Sequence, residues 1–303
     1  MIAPPWFIVL MPWVFVWVWS TGFLVAKFGQ PYAEPFTLLS IRFAAAMLVL
    51  LFIIPGFKAS WPGTPRLWLH SMLVGLLIHG IYLGGVFQAI ALGMPAGLSS
   101  MVIGLQPLVM ALLAGLMLKE QVTRWQWLGL VIGLGGLYLV LAERFAWQSD
   151  QIFDGFSGWS AVLVTASLMG ISVGSVYQKK FCQGMNLLTS IWWQYLAAAL
   201  FCFVAALMFE TRNVDWQWAF VLSLSWQVLA LSIGAILLLM LMINLGESAR
   251  VASLFYLVPP AVALQAWWWF DEQLGLQALL GVGLIAVGVA LARLKLVSKT
   301  KPA

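Results

Sequence analysis

Arg42 lies about seven residues inside a long apolar run that begins near Pro35, and no Asp or Glu falls within any comparable run to neutralise it. By helix rise it sits roughly 10 Å below one face of a hydrocarbon core about 30 Å thick. A charge at that depth is a functional candidate, and the chemistry it offers is attraction of a substrate carboxylate. The competing reading is structural, with the side chain snorkelling to the interface or bonding freed helix carbonyls. His79 occupies the centre of the third apolar run, and Tyr82 follows three residues later on the same helical face. Imidazole is the side chain able to accept and release a proton near neutral pH, which makes His79 the candidate for coupling to protons; hydrogen-bonded packing is the alternative.

Weaker signals come from stripes of polar and aromatic residues. Trp17 and Ser20, with Trp13, share a face of the first run and offer a stacking surface for a flat substrate, or else core packing. Ser172 and Ser175, flanked by Thr165 and Lys179, form a polar stripe on the sixth run that suits either a wetted route or hydrogen bonds between helices. Ser99 and Gln106 share a face of the fourth run, as do Tyr256 and Pro260 of the ninth, together with Ser253. Pro107, and Pro259 with Pro260, interrupt those two runs; each removes a backbone donor and marks a hinge or a binding site, or merely bends the helix. His70, His79, Cys182 and Cys202 have no metal-ligand spacing, and both cysteines read as small buried apolar side chains. No nucleophile, His and carboxylate set can be assembled. The chain is therefore not expected to be an enzyme, to hold a cofactor or metal, or to bind nucleic acid.

The elements that would position these groups follow from composition. With 63% hydrophobic and 8% charged residues over 303 positions and a mean hydropathy of +0.99, the chain has too little polar surface to cover a water-soluble globule. Lipid is the solvent, and the fold class is all-α, because a helix satisfies its backbone within its own segment. Ten spans are expected near residues 6–26, 35–55, 68–91, 96–118, 125–142, 158–180, 187–209, 220–243, 248–269 and 275–293. With the N-terminus inside, eleven of the 15 Lys and Arg residues fall on the inner side, Lys27, Arg144 and Arg212 fall outside, and Arg42 stays in a span. That bias supports a multi-pass protein of the cell inner membrane with both termini cytoplasmic. Trp61, Trp68, Trp125, Trp127, Trp192 and Trp193 fall near the inner interface, while Trp147, Trp159, Trp216, Trp218 and Trp267 to Trp269 fall near the outer, as aromatic belts do.

The second half repeats the first at an offset of about 152 residues. Lys27 aligns with Lys179, Thr37 with Thr189, Pro107 with Pro259, Glu120 with Glu272, Gly129 with Gly281 and Gly136 with Gly288. Five spans per copy oblige the copies to face opposite ways, the layout of inverted-repeat carriers. Two repeats, 6–142 and 158–293, are joined by a loop over 143–157 and followed by a cytoplasmic tail, 294–303. The glycine rows of the fifth and tenth spans permit close helix packing.

The tract WSTGFLVAKFG from Trp19, the tract PFTLLSIRFAAA with Arg42, the block from Ala91 to Glu120 and its echo from Asn244 to Glu272 resemble the duplicated EamA domain of the drug/metabolite transporter superfamily. The resemblance implies a basket in which helices 1–4 and 6–9 surround a central cavity and helices 5 and 10 lie at the periphery. It also implies export of small metabolites, often amino acids. One departure is that Gln194 stands where the first half has Arg42. The expected function is a secondary transporter working by alternating access, with a small-molecule substrate, membrane lipid as its surroundings and a proton as candidate partner. An uncoupled facilitator and a non-transporting scaffold or lipid-handling protein are the alternatives. Substrate, direction and oligomeric state are not legible.

Overall fold

The computed structural model describes residues 5–118, 124–144, 157–244, 257–271 and 275–292. Among these the chain is helical apart from turns, connecting loops and one isolated antiparallel bridge, Ala33 with Val214. Helix α1 spans Pro5–Gly29 and α2 spans Pro35–Gly56. Helix α3 runs as Pro65–Gly75, a π-helical stretch Leu76–Leu83, and Gly84–Ala91. Helix α4 is broken into Ala96–Ile103 and Gln106–Leu118, and α5 is Arg124–Arg144. Then come α6, Gly158–Phe181, and α7, Leu187–Phe209. Helix α8 repeats the construction of α3 as Trp218–Ser225, a π stretch Trp226–Gly234, and Ala235–Asn244. Helix α9 is described over Val258–Phe270, and α10 is Leu276–Ala292.

Six of these helices are long and apolar enough to cross a membrane: Leu10–Gly29, Pro35–Gly56, Pro65–Ala91, Gly158–Phe181, Leu187–Phe209 and Trp218–Leu239. Shorter apolar stretches lie in α4, α5 and α10. The outer surface of the body is apolar too, with Phe52 85% exposed and Leu116 80% exposed. Water would not tolerate that surface, and lipid does. Trp159, Trp216, Trp218 and Trp267 to Trp269 are all exposed, as interfacial anchors are. Trp192 and Trp193 are partly buried instead, where Trp193 stacks on Trp68 at 5.0 Å and Trp192 meets Trp61 edge-on at 5.5 Å. Cys202 is fully buried, while Cys182 is only half-buried, because it follows the last residue of α6 rather than lying within the helix.

Helices α2 and α7 pack along each other, α7 also touches α3, and α6 packs on α3 and α4. One end of the α2–α7 pair is closed by a reciprocal pair of carboxylates. Glu210, just past α7, accepts from the Phe36 N–H, the Thr37 N–H and the Thr37 hydroxyl, each at 2.7 Å, and so caps α2. Glu34, just before α2, accepts from the Thr211 N–H at 2.7 Å, the Thr211 hydroxyl at 2.8 Å and the Arg212 N–H at 3.0 Å. Each acid thus satisfies orphan donors on the other segment. Arg212 reaches this position with φ of 62°, and the Asp215 N–H donates to Tyr32 O at 2.8 Å alongside.

Helices α5 and α10 pack against each other and touch the rest of the body mainly through α4. Glycine makes their contact possible. A Cβ at Gly288 would lie 2.5 Å from Gly129 O, and one at Gly136 would lie 2.5 Å from Gly281 O, so the two backbones touch directly. Gly288→Ala should force the pair apart and lower stability by about 1–3 kcal/mol, the usual cost of overpacking. A thermal melt of the detergent-solubilised protein measures this, and an unchanged midpoint would show that the seam is looser than described.

Candidate functional site

A cavity of about 90 Å³ lies inside the body, enough for several water molecules. Its polar and aromatic lining comes from Trp19 and Phe23 of α1, Arg42 of α2, His79 and Tyr82 of α3, and Tyr195 of α7. Aliphatic side chains of α3, α6 and α8 complete it. No carboxylate lines it among the described residues. Six helices meet here, and α4 and α9 supply no lining residue among those described, a narrower set than the basket of eight that the family resemblance implies.

The side chain of Arg42 is held within the body and does not snorkel, since the residue is only 6% exposed. Its Nε–H donates to Ser232 Oγ at 3.0 Å, and Ser232 belongs to the π stretch of α8. Tyr195 fixes the same residue by donating its hydroxyl to Ser232 O at 2.9 Å. The guanidinium carbon lies 5.7 Å from the Phe43 ring, within the range of a cation–π contact. Phe43 stacks on Tyr195 at 5.3 Å, and the His79 ring stands edge-on to both, at 5.7 Å and 4.9 Å. Arg42 Nη1 and His79 Nδ1 are both buried with no hydrogen-bond partner. An unpaired buried charge and an unpartnered ring nitrogen, on two residues that line one cavity, leave hydrogen-bonding capacity unused.

Small residues bring these groups together. A Cβ at Gly75 would collide with the backbone of Gln194, so α3 and α7 touch main chain to main chain. Gly170 and Gly174 of α6 lie against Leu77, Ile78 and Ile81. The wider π stretch of α3 is thereby wedged between α6 and α7, which turns His79 and Tyr82 inward. At the repeat offset, Leu76 and Leu83 correspond to Val228 and Ala235, so the two π stretches coincide to within two residues. π segments cluster at functional positions.

Of the residues singled out from the sequence, Arg42, His79 and Tyr82 share this cavity. Trp17 does not line it and is 43% exposed; two positions of a helix differ by about 200°, and the lining tryptophan is Trp19. Ser20 is buried but donates to Val16 O at 2.7 Å within α1. Gln106 Nε2 reaches Ser175 Oγ at 3.3 Å and Met110 Sδ at 3.4 Å, tying α4 to α6 rather than facing the cavity. Ser99 and Ser172 are fully buried with unpartnered hydroxyls outside the lining. Pro107 is the second residue of the Gln106–Leu118 segment, directly after the break in α4. Pro259 and Pro260 open the described part of α9 and, with Gly104 at that break, border a small void of about 20 Å³ against α10, apart from the central cavity. Tyr256 lies outside the described residues, and so does Ser253.

Sequence reading did not single out Tyr195, Ser232 or Trp19, and noted Gln194 only as a departure from symmetry. Nothing local marks Tyr195 or Ser232, whose partners Phe43 and Arg42 are 152 and 190 residues away. Gln194 begins a polar ladder. Its Nε2 donates to Ser190 Oγ at 3.2 Å, Ser190 Oγ meets Ser71 Oγ at 3.0 Å, and Ser71 donates to Met185 Sδ at 3.7 Å.

An all-helical, multi-pass membrane body around a cavity with one open cation defines a membrane protein that handles small solutes. The model of the EamA-like transporter family matches residues 6–142 and again 158–294, and the chain belongs to that family. It is 24% identical to the uncharacterized transporter YvbV of Bacillus subtilis over 288 residues, 92% of this chain and 88% of the relative. It is 26% identical to a probable amino-acid metabolite efflux pump of Escherichia coli over 283 residues, 90% of each chain. A crystal structure 19% identical in sequence superposes with a TM-score of 0.66, covering 96% of this chain and 98% of its own, a likeness of fold alone.

Tyr195→Phe would remove the hydrogen bond that ties α7 to the Ser232 carbonyl in the π stretch. The expected loss is about 1 kcal/mol of stability, together with weaker binding at Arg42 as its anchor loosens. Urea or thermal unfolding of the purified variant checks the first effect. Equal stability would show that this hydroxyl does not brace α8.

Proposed function

We propose that the protein is a secondary transporter that exports small metabolites, amino acids or related compounds, by alternating access around the central cavity. The observation that carries this reading is Arg42, buried beside Ser232 with Nη1 unpartnered, and lining a cavity whose described lining contains no carboxylate. Such a cation draws an anionic group in from water and needs it there. The likeness to a probable amino-acid metabolite efflux pump supports the substrate class. In this reading the chain crosses the inner membrane ten times as two inverted units, 6–142 and 158–293, with both termini cytoplasmic. The broken α4 and the prolines of α9 serve as hinges, and His79 is the group through which a proton gradient would act. An uncoupled facilitator uses the same cavity without that last step.

Arg42→Gln should abolish transport of anionic and zwitterionic substrates in proteoliposomes while leaving the protein folded. Transport at the normal rate would remove the charge role. Topology is checked separately. In a variant lacking Cys182 and Cys202, single cysteines at Lys119 and Asp271 should react with an impermeant thiol reagent from opposite sides of the membrane; labelling from the same side would refute the inverted arrangement.

A further inference from the structure

The repeat puts two glycines in equivalent places and packs only one of them. Gly22 of α1 and Gly174 of α6 are counterparts at the offset of about 152. A Cβ at Gly174 would lie 2.6 Å from Ile78 Cγ1 and 3.0 Å from Leu77 Cβ, so the π stretch of α3 is packed against that glycine. A Cβ at Gly22 would meet no atom within 4 Å. The corresponding residues of α8 account for the difference. Leu229 stands in the place of Leu77 but is exposed on the outer surface, and Ala230 stands in the place of Ile78 but is too short to fill the gap. Trp226 Nε1 meanwhile donates to Thr21 Oγ1 at 2.9 Å, tying α8 to α1 at the residue next to Gly22.

The unfilled space belongs to the central cavity. Gly22 lines it together with Trp19 and Phe23, which lie on the same face of α1, and with Leu231 and Ile236 of α8. In a helix the backbone N–H and C=O point along the axis, so a glycine meets a neighbouring cavity through its Cα, the atom from which a side chain would grow. Alanine would be the better helix former here and would clash with nothing, so local packing does not account for the glycine. Resting on the carrier reading above, we propose that Gly22 is the specificity-determining position of the cavity: the room left by its missing side chain admits the apolar side chain of an amino-acid substrate and limits its length. Gly174 spends the equivalent freedom on packing, so one half of the repeat closes a seam where the other opens a pocket.

Straight-chain 2-amino acids from alanine through 2-aminoheptanoate, each one methylene longer than the last, probe that room. In the purified full-length protein, affinity should rise about fourfold per methylene up to a limiting length and then fall. Gly22→Ala should shorten the limit by about one methylene while binding alanine within about twofold of normal, and Gly22→Leu should shorten it further. Thermal melts separate this from a packing role: Gly22→Ala should melt no lower than the unsubstituted protein, whereas Gly174→Ala should melt lower. A limit unmoved by both Gly22 substitutions, in a protein that binds the series, overturns the proposal. So does a Gly22→Ala melt as low as that of Gly174→Ala. If the unsubstituted protein binds no member of the series, the amino-acid reading of the cavity fails instead and takes the proposal with it.

Discussion

The structure depends on keeping one guanidinium inside a low-dielectric body without a carboxylate to pair it among the described residues. An unpaired buried ion is expensive, on the order of several kcal/mol even after relaxation. The protein reduces that penalty with weak but numerous partners: a hydroxyl at 3.0 Å, an aromatic face 5.7 Å away, and ring contacts that exclude lipid. None of these neutralises the charge, and Nη1 stays open. A salt bridge would have made a quieter core, with the guanidinium's hydrogen-bonding capacity spent inside the protein.

Holding such a residue in place requires rigid neighbours. The mutual capping by Glu34 and Glu210 fixes α2 against α7 at one end, with six short hydrogen bonds of 2.7–3.0 Å between segments far apart in sequence. That register decides which residues of α2 face Tyr195. Farther along the pair, Thr189 Oγ1 donates to Ser60 O at 2.8 Å, joining the start of α7 to the loop after α2 with a single neutral bond. The two ends of the pair are thus unequal in strength, and motion of the surrounding helices is more easily accommodated at the weaker one.

How much of this was legible in the sequence follows from the range of the interactions. Arg42, His79 and Tyr82 could be found because a charge or an imidazole inside an apolar run is anomalous by itself, and a spacing of three puts two side chains on one face. The close seam of α5 and α10 was legible in its glycine rows. Trp17 was chosen over Trp19 because a stripe gives spacing but not the rotation of the helix, and α1 is too uniformly apolar for its inward face to show. The π stretches were invisible, since an inserted residue changes neither composition nor hydropathy. Ser232 and Tyr195 look like ordinary helix glue until Arg42 is placed beside them.

The duplicated chain explains why the cavity is polar on unequal terms. Duplication delivers two equivalent buried positions on the packed pair α2 and α7, Arg42 lining the cavity and Gln194 outside its lining, and strict symmetry would bury a second guanidinium. The two charges would repel, and each would carry its own desolvation penalty. Replacing one by an amide removes the repulsion and one desolvation term while keeping a side chain that donates and accepts. The amide is then free to turn into the Ser190 and Ser71 ladder. Symmetry of the backbone, visible in the paired π stretches, therefore coexists with asymmetry of the chemistry.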